Sequence, residues 1–160
     1  MALAPIRLLV LDADGVLTDG QIYWSDRGET SLAFHVRDGW GIRRLIEAGF
    51  LLAVISGRSS GALAGRVRAL GIPHLHQSVE DKGATLAGLQ SALGCGVAET
   101  AALGDDEPDL ALFAGAAVRL AVADAHPSLL QAADYVTRAP GGHGAVREVA
   151  DLLLAARSPV

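Results

Sequence analysis

The chain has 160 residues, 51% of them hydrophobic and 19% charged, with a formal net charge of −5. That length fills one apolar core but not two, so a single domain over residues 1–160 is expected. The acidic balance without a Lys/Arg run argues against nucleic acid, and the lone Cys95 rules out an internal disulfide and a thiolate zinc site; with no leader pattern or long apolar span, a cytoplasmic protein without membrane contact is expected.

In chain order, Leu8–Leu11 is a short apolar run that suits a strand buried on both faces of a parallel sheet. It ends in Asp12 and Asp14, and Gly15 opens a turn that lets both carboxylates approach one point. Gln21–Trp24 and Ser31–Val36 predict a β-hairpin over about residues 20–36, turning at Ser25-Asp26-Arg27-Gly28, with Leu32, Phe34 and Val36 on one face. Gly41–Ala48 has helical spacing and stops at Gly49. Leu51–Ile55 is a second buried strand that ends in Ser56-Gly57-Arg58. Ser59 or Ser60 then caps a helix carrying Leu63, Val67 and Leu70, closed by Gly71, and a short strand follows near His74–His76.

Asp81 caps the next helix, which Gly94 stops, and Thr100–Leu103 is a strand running into Gly104-Asp105-Asp106. Pro108 opens a short helix. Val118–Val122 and Tyr135–Thr137 are the last strands, with a helix from Pro127 between them, and Val146, Val149, Ala150 and Leu153 mark the final helix. Strands alternating with helices predict a three-layer, Rossmann-like α/β fold on a parallel sheet, with a β-hairpin insertion and no cap domain. Residues 1–5 and 157–160 are expected to fray.

This order sets Asp12, Asp14, Ser56, Lys82, Asp105, Asp106 and Asp109 at strand ends or helix starts, so a parallel sheet gathers them at one edge. Several carboxylates around one point suit a hard divalent cation such as Mg2+, while a serine hydroxyl and a lysine ammonium suit phosphate oxygens. A carboxylate can also attack phosphorus itself. No histidine spacing suggests a metal site, and His74, His76 and His126 read as structural.

Asp12-Ala13-Asp14-Gly15-Val16-Leu17-Thr18, Ser56-Gly57-Arg58, Lys82 and Gly104-Asp105-Asp106-Glu107-Pro108-Asp109 resemble the four ordered motifs of the haloacid dehalogenase superfamily of phosphatases. A narrower resemblance, to members acting on a sugar acid phosphate, rests on residues 14–20, 35–43, 56–60, Arg66, 70–72, 81–82, 122–127 and 141–148. It implies that Asp12 is the nucleophile, that Asp14 is the general acid and base, and that Ser56 and Lys82 hold the phosphoryl oxygens. Mg2+ is implied on the Asp12 carboxylate, the Asp14 backbone carbonyl and Asp105, with Asp106 and Asp109 helping through water or by orienting Lys82.

The substrate contacts implied by the resemblance are Asp14, His35, Val36, Arg37, Asp38, Gly39, Arg43, Arg58, Arg66 and Lys82, because arginine holds a carboxylate through paired N–H bonds. It also implies a homotetramer, in which hairpins pack together and neighbours close each site. Leu32, Phe34 and Val36 are the apolar face expected at that contact, and residues 141–144 form either a lid or a plain loop. The competing readings are a phosphatase for another ulosonic acid phosphate, of the nononate 9-phosphate type, and a non-catalytic oligomerisation module. Intact Asp12, Asp14, Lys82 and Asp105 favour catalysis.

Overall fold

The computed structural model describes residues 2–157, so the fraying expected at the termini falls partly, at residues 1 and 158–160, outside the described residues. The elements run β1 (Leu8–Leu11), β2 (Tyr23–Ser25), β3 (Gly28–Ser31), α1 (Val36–Glu47), β4 (Leu51–Ile55), α2 (Gly61–Leu70), β5 (His74–His76), α3 (Lys82–Leu93), β6 (Thr100–Gly104), α4 (Leu110–Ala114), β7 (Val118–Ala121), α5 (Pro127–Ala132), β8 (Tyr135–Val136) and α6 (Ala145–Arg157). Six strands form a parallel sheet in the order β5-β4-β1-β6-β7-β8, and β2 pairs with β3 in a separate antiparallel hairpin.

β1 lies between β4 and β6, with Leu8 opposite Leu51 on one side and Thr100 on the other. All four of its residues are buried, as an unbroken apolar run requires when both sheet faces are covered. The chain builds outward through β4 to β5, then returns past β1 to build β6, β7 and β8. That reversal opens a crevice at the carboxyl ends of β1, β4 and β6. α1 packs against α2 and α6, while α3 packs against α4 and α4 against α5, which gives the helical layers of an α/β sandwich. The expected caps are in place: Ser60 accepts from the Leu63 amide at 3.2 Å and Asp81 from the Ala84 amide at 2.9 Å.

The hairpin departs from its expected bounds. β3 ends at Ser31, residues 32–35 are irregular, and Val36 is the first residue of α1, which starts five residues before the expected Gly41. Gly39 and Gly41, inside the extended helix, permit close packing. A Cβ on Gly39 would lie 2.5 Å from Arg66 Nη2, and one on Gly41 would lie 3.0 Å from Ala150 Cβ and 3.1 Å from Arg147 Cα. The Leu32, Phe34, Val36 face therefore does not exist as a strand face. Leu32 and Phe34 pack partly buried on the chain's own core, with the Arg66 guanidinium over the Phe34 ring at 5.8 Å, and Val36 is exposed on the helix.

Residues 141–144 form a loop pressed onto the turn after β1. Gly141 and Gly142 are buried, and the Gly142 amide donates to the Val16 carbonyl at 3.0 Å. A Cβ at Gly141 would overlap the Gly15 carbonyl oxygen at 1.6 Å. Gly141→Ala is therefore expected to cost about 1–3 kcal/mol, lowering the melting midpoint by about 2–4 °C per kcal/mol. Gly65→Ala, in the exposed middle of α2 with nothing within 4 Å of the new Cβ, is expected to raise stability by up to about 1 kcal/mol. Scanning calorimetry of the two variants checks both signs.

Candidate active site

β1 delivers Asp12 directly from its buried end. The Asp12 amide donates to the Leu103 carbonyl at 3.0 Å, so the carboxylate leaves the sheet between β1 and β6. The chain then turns tightly: the Leu17 and Thr18 amides both donate to the Ala13 carbonyl, and the buried Thr18 hydroxyl accepts from the Gly15 and Gly20 amides at 3.3 and 3.2 Å. Gly15 has φ +89°, and a Cβ there would strike the Asp105 carboxylate at 2.0 Å. Glycine at this point lets the first motif and the fourth touch.

Lys82, at the start of α3, sends its ammonium under Asp12. Nζ lies 2.6 Å from Asp12 Oδ1 and 2.6 Å from Asp109 Oδ1, and all three residues are buried. Burial works against the Lys82 ammonium, but Asp12 and Asp109 outweigh it and hold its pKa above the ordinary lysine value. The other oxygen of Asp109 accepts from the Asp105 and Asp106 amides at 3.0 and 3.4 Å. Asp109 is thus committed to orienting its neighbours.

Asp12, Asp105 and Asp109 each offer an oxygen within 4.8 Å of the others. Burial, and then Asp109, push the Asp12 carboxyl up to about 7 against the pull of Lys82. Burial, Asp12 and Asp109 push Asp105 up to about 8. Asp12 and Asp105 therefore suit a hard divalent cation: they supply oxygen ligands only and they repel each other without it. A cleft of about 370 Å³ opens over them, bordered by Asp12, Asp14, Asp105, Asp106 and Asp109 against Lys82 and Arg58. Five carboxylates facing two cationic groups would repel an anionic substrate without added positive charge.

Ser56 and Arg58 follow β4 into the same cleft. Ser56 is buried, and its hydroxyl accepts from the Arg58 amide at 3.2 Å, which leaves its O–H to donate. Arg58 grips Asp14 in a fork, Nε to Oδ2 at 2.9 Å and Nη2 to Oδ1 at 2.8 Å, while Nη1 reaches Glu29 of β3 at 3.0 Å. The remaining expected substrate contacts lie elsewhere in the chain. His35, Asp38, Gly39 and Arg66 border a small adjoining cavity with Phe34 and Leu17. Arg37 faces a groove beside Arg138 and Arg147, and Val36 and Arg43 are exposed on α1. Both Asp38 oxygens are taken by backbone amides of the loop and helix that follow, Gly144 at 3.2 Å and Arg147 at 2.8 Å.

Sequence reasoning missed Glu29 and the bracing role of Asp38. Neither partnership has a local signature, since Arg58 and Arg147 lie far along the chain. The 122–127 segment also proves to be a brace: the His126 amide donates to the Asp105 carbonyl at 2.7 Å and Asp124 accepts from the Gly141 amide at 2.9 Å.

A parallel sheet that delivers an aspartate pair from its central strand, beside a lysine and an acidic loop from its neighbours, defines a hydrolase of the haloacid dehalogenase class. The model of haloacid dehalogenase-like hydrolases matches residues 74–148. The chain is 49% identical over 154 residues to 3-deoxy-D-manno-octulosonate 8-phosphate phosphatase of Yersinia pestis, covering 96% of this chain and 82% of that one. It is 47% identical over 152 residues to the Escherichia coli K12 protein of the same name, covering 95% and 81%. The crystal structure of the Moraxella catarrhalis phosphatase, in complex with magnesium, phosphate and KDO, superposes with a TM-score of 0.94 at 41% identity over 98% of this chain and 90% of that one. The chain belongs to the haloacid dehalogenase-like hydrolases, in the family of 3-deoxy-D-manno-octulosonate 8-phosphate phosphatases.

An aspartate whose pKa rises on folding holds its proton more tightly in the native state, so its contribution to stability is complete below the unfolded value near pH 4 and is lost as pH climbs through about 7–8. In EDTA, the melting midpoint of the wild type relative to Asp105→Asn is therefore expected to fall between about pH 5 and pH 8. At the upper pH, Mg2+ should raise the wild type more than the variant. Differential scanning fluorimetry across that range measures both effects.

Proposed function

We propose that the chain hydrolyses 3-deoxy-D-manno-octulosonate 8-phosphate to 3-deoxy-D-manno-octulosonate and phosphate, as a Mg2+-dependent phosphoric monoester hydrolase. The observation that carries this reading is the meeting of Asp12, Lys82, Asp105 and Asp109 at the end of the central strand, in a chain 49% identical to a phosphatase of that name. Mg2+ on Asp12, Asp105 and the Asp14 carbonyl would supply the positive charge that the acidic cleft needs to admit a phosphate.

The chain's own residues divide the rest of the work. Asp12 attacks phosphorus as the ester P–O bond breaks, giving an aspartyl phosphate. Asp14, two residues on, gives its proton to the leaving sugar oxygen and later takes one from the water that cleaves the intermediate. Lys82, already fixed by Asp109, and the free O–H of Ser56 hold phosphoryl oxygens as charge shifts in the transition state. Arg58 is the member of the expected arginine set that borders this cleft, and it suits the sugar acid's carboxylate. Asp12→Asn should lower kcat by at least about a thousandfold while keeping the fold, because the amide cannot attack phosphorus. Phosphate release from a panel of sugar phosphates, with Mg2+ and with EDTA, tests substrate and metal together: turnover that persists in EDTA refutes the metal role.

We further propose a cytoplasmic homotetramer in which the whole chain serves as one hydrolase domain. Among the described residues, only the hairpin lies between β1 and α1, and Val36, Arg37 and Arg43 are exposed and do not line their own cleft, which fits contacts to a neighbour's. The apolar surface suited to this contact is Ile22 and Trp24 on the hairpin with Val36 and Trp40 on α1; Trp24 is 71% exposed and Val36 81%. Trp24→Asp should dissociate the assembly at micromolar protein by placing an unpaired charge in every contact, and activity should fall with it. Sedimentation velocity decides the point, and an unchanged profile would put the hairpin at solvent.

A further inference from the structure

We infer that Glu29 is a positioning residue, which aims the Arg58 guanidinium at the mouth of the cleft and so sets the preference for substrates that carry a second anionic group. This rests on the proposed sugar acid phosphate activity. The carboxylate of Glu29 extends from β3 and makes two contacts with one segment of chain: Oε2 accepts from Arg58 Nη1 at 3.0 Å and Oε1 accepts from the Ser60 hydroxyl, which itself caps α2. Glu29 is well shielded, with 16% of its side chain exposed, whereas Arg58 keeps 34% exposed toward the opening. Removing a shielded carboxylate leaves its cationic partner uncompensated: without Glu29, Arg58 has one anchor, Asp14, and that residue is needed for proton transfer.

The donor count shows what remains for substrate. Arg58 has five N–H groups, and three are used, two on Asp14 and one on Glu29. Two are left on a guanidinium whose plane is fixed from both sides, the condition under which arginine binds a carboxylate through paired bonds. Glu29 also ties the hairpin to the start of α2. A two-stranded ribbon is marginal alone, so this contact gives the cleft wall a defined place. The charge pattern agrees: both anions that face Arg58 belong to this chain, and the resulting Asp14–Arg58–Glu29 row runs from the catalytic loop to the hairpin.

The test compares 3-deoxy-D-manno-octulosonate 8-phosphate with phenyl phosphate, which has no second anion, in wild type, Glu29→Gln, Arg58→Met and the double variant. Glu29→Gln should lower the kcat/KM ratio between the two substrates about tenfold, with most of the loss in KM for the sugar acid. Arg58→Met should lower that ratio at least as far, and the double variant should lose no more than Arg58→Met alone, because the two residues act through one contact. Equal losses on both substrates, or additive losses in the double variant, would overturn the inference and leave Glu29 a structural anchor of the hairpin. A wild type without any preference for the sugar acid would overturn the proposed activity itself, a result visible before any variant is made.

Discussion

The ammonium of Lys82 sits 2.6 Å from Asp12 and 2.6 Å from Asp109, and the functional edge of the molecule depends on this three-way contact. Each partner comes from a different part of the sheet: Asp12 from the end of β1, Lys82 from the start of α3, Asp109 from the turn after β6. A buried charge whose partner is removed is left without solvent or compensation, so the three hold one another in place more firmly than their hydrogen bonds alone suggest. With Asp105 beside them, three carboxylates meet one ammonium. Asp105 shares the pocket and is pushed up to about 8 by burial, Asp12 and Asp109. The electrostatics of this edge therefore suit a divalent cation.

Around this centre the loops brace one another through backbone groups. Thr18 closes the turn after β1, Gly142 binds Val16 behind it, Asp124 holds Gly141, and the His126 amide meets the Asp105 carbonyl. Asp38 of α1 takes the amides of Gly144 and Arg147 and so fixes the start of α6. These links explain why small residues recur in the segment at 141–144: a side chain at Gly141 would occupy the space of the Gly15 carbonyl. A loop packed this closely supports the catalytic turn from behind, which distinguishes it from a mobile cover.

The hairpin is the one part of the chain near the cleft that has little core of its own. Its strands are mostly exposed, and Ile22, Tyr23 and Trp24 present an apolar surface outward. What fixes its position within the chain is polar: Glu29 against Arg58 and Ser60. The division is a physical consequence of its size, since a two-stranded ribbon has no second layer of its own against which to bury an apolar face.

By itself the sequence determined the sheet, its buried central strand and the meeting of Asp12, Asp14, Ser56, Lys82 and Asp105, because apolar runs of strand length ending in acidic turns are a local pattern and parallel connectivity carries their ends to one edge. The helix caps at Ser60 and Asp81 were legible for the same reason. Tertiary structure alone decided the start of α1, five residues before Gly41, where Gly39 and Gly41 serve close contacts with Arg66 and α6. It alone packed Leu32 and Phe34 against the chain's own core, and it alone paired Glu29 with Arg58 and Asp38 with α6. Those contacts join residues distant in sequence, and the choice between a free and a committed carboxylate, or an open and a close-packed glycine, depends on which surface arrives opposite it.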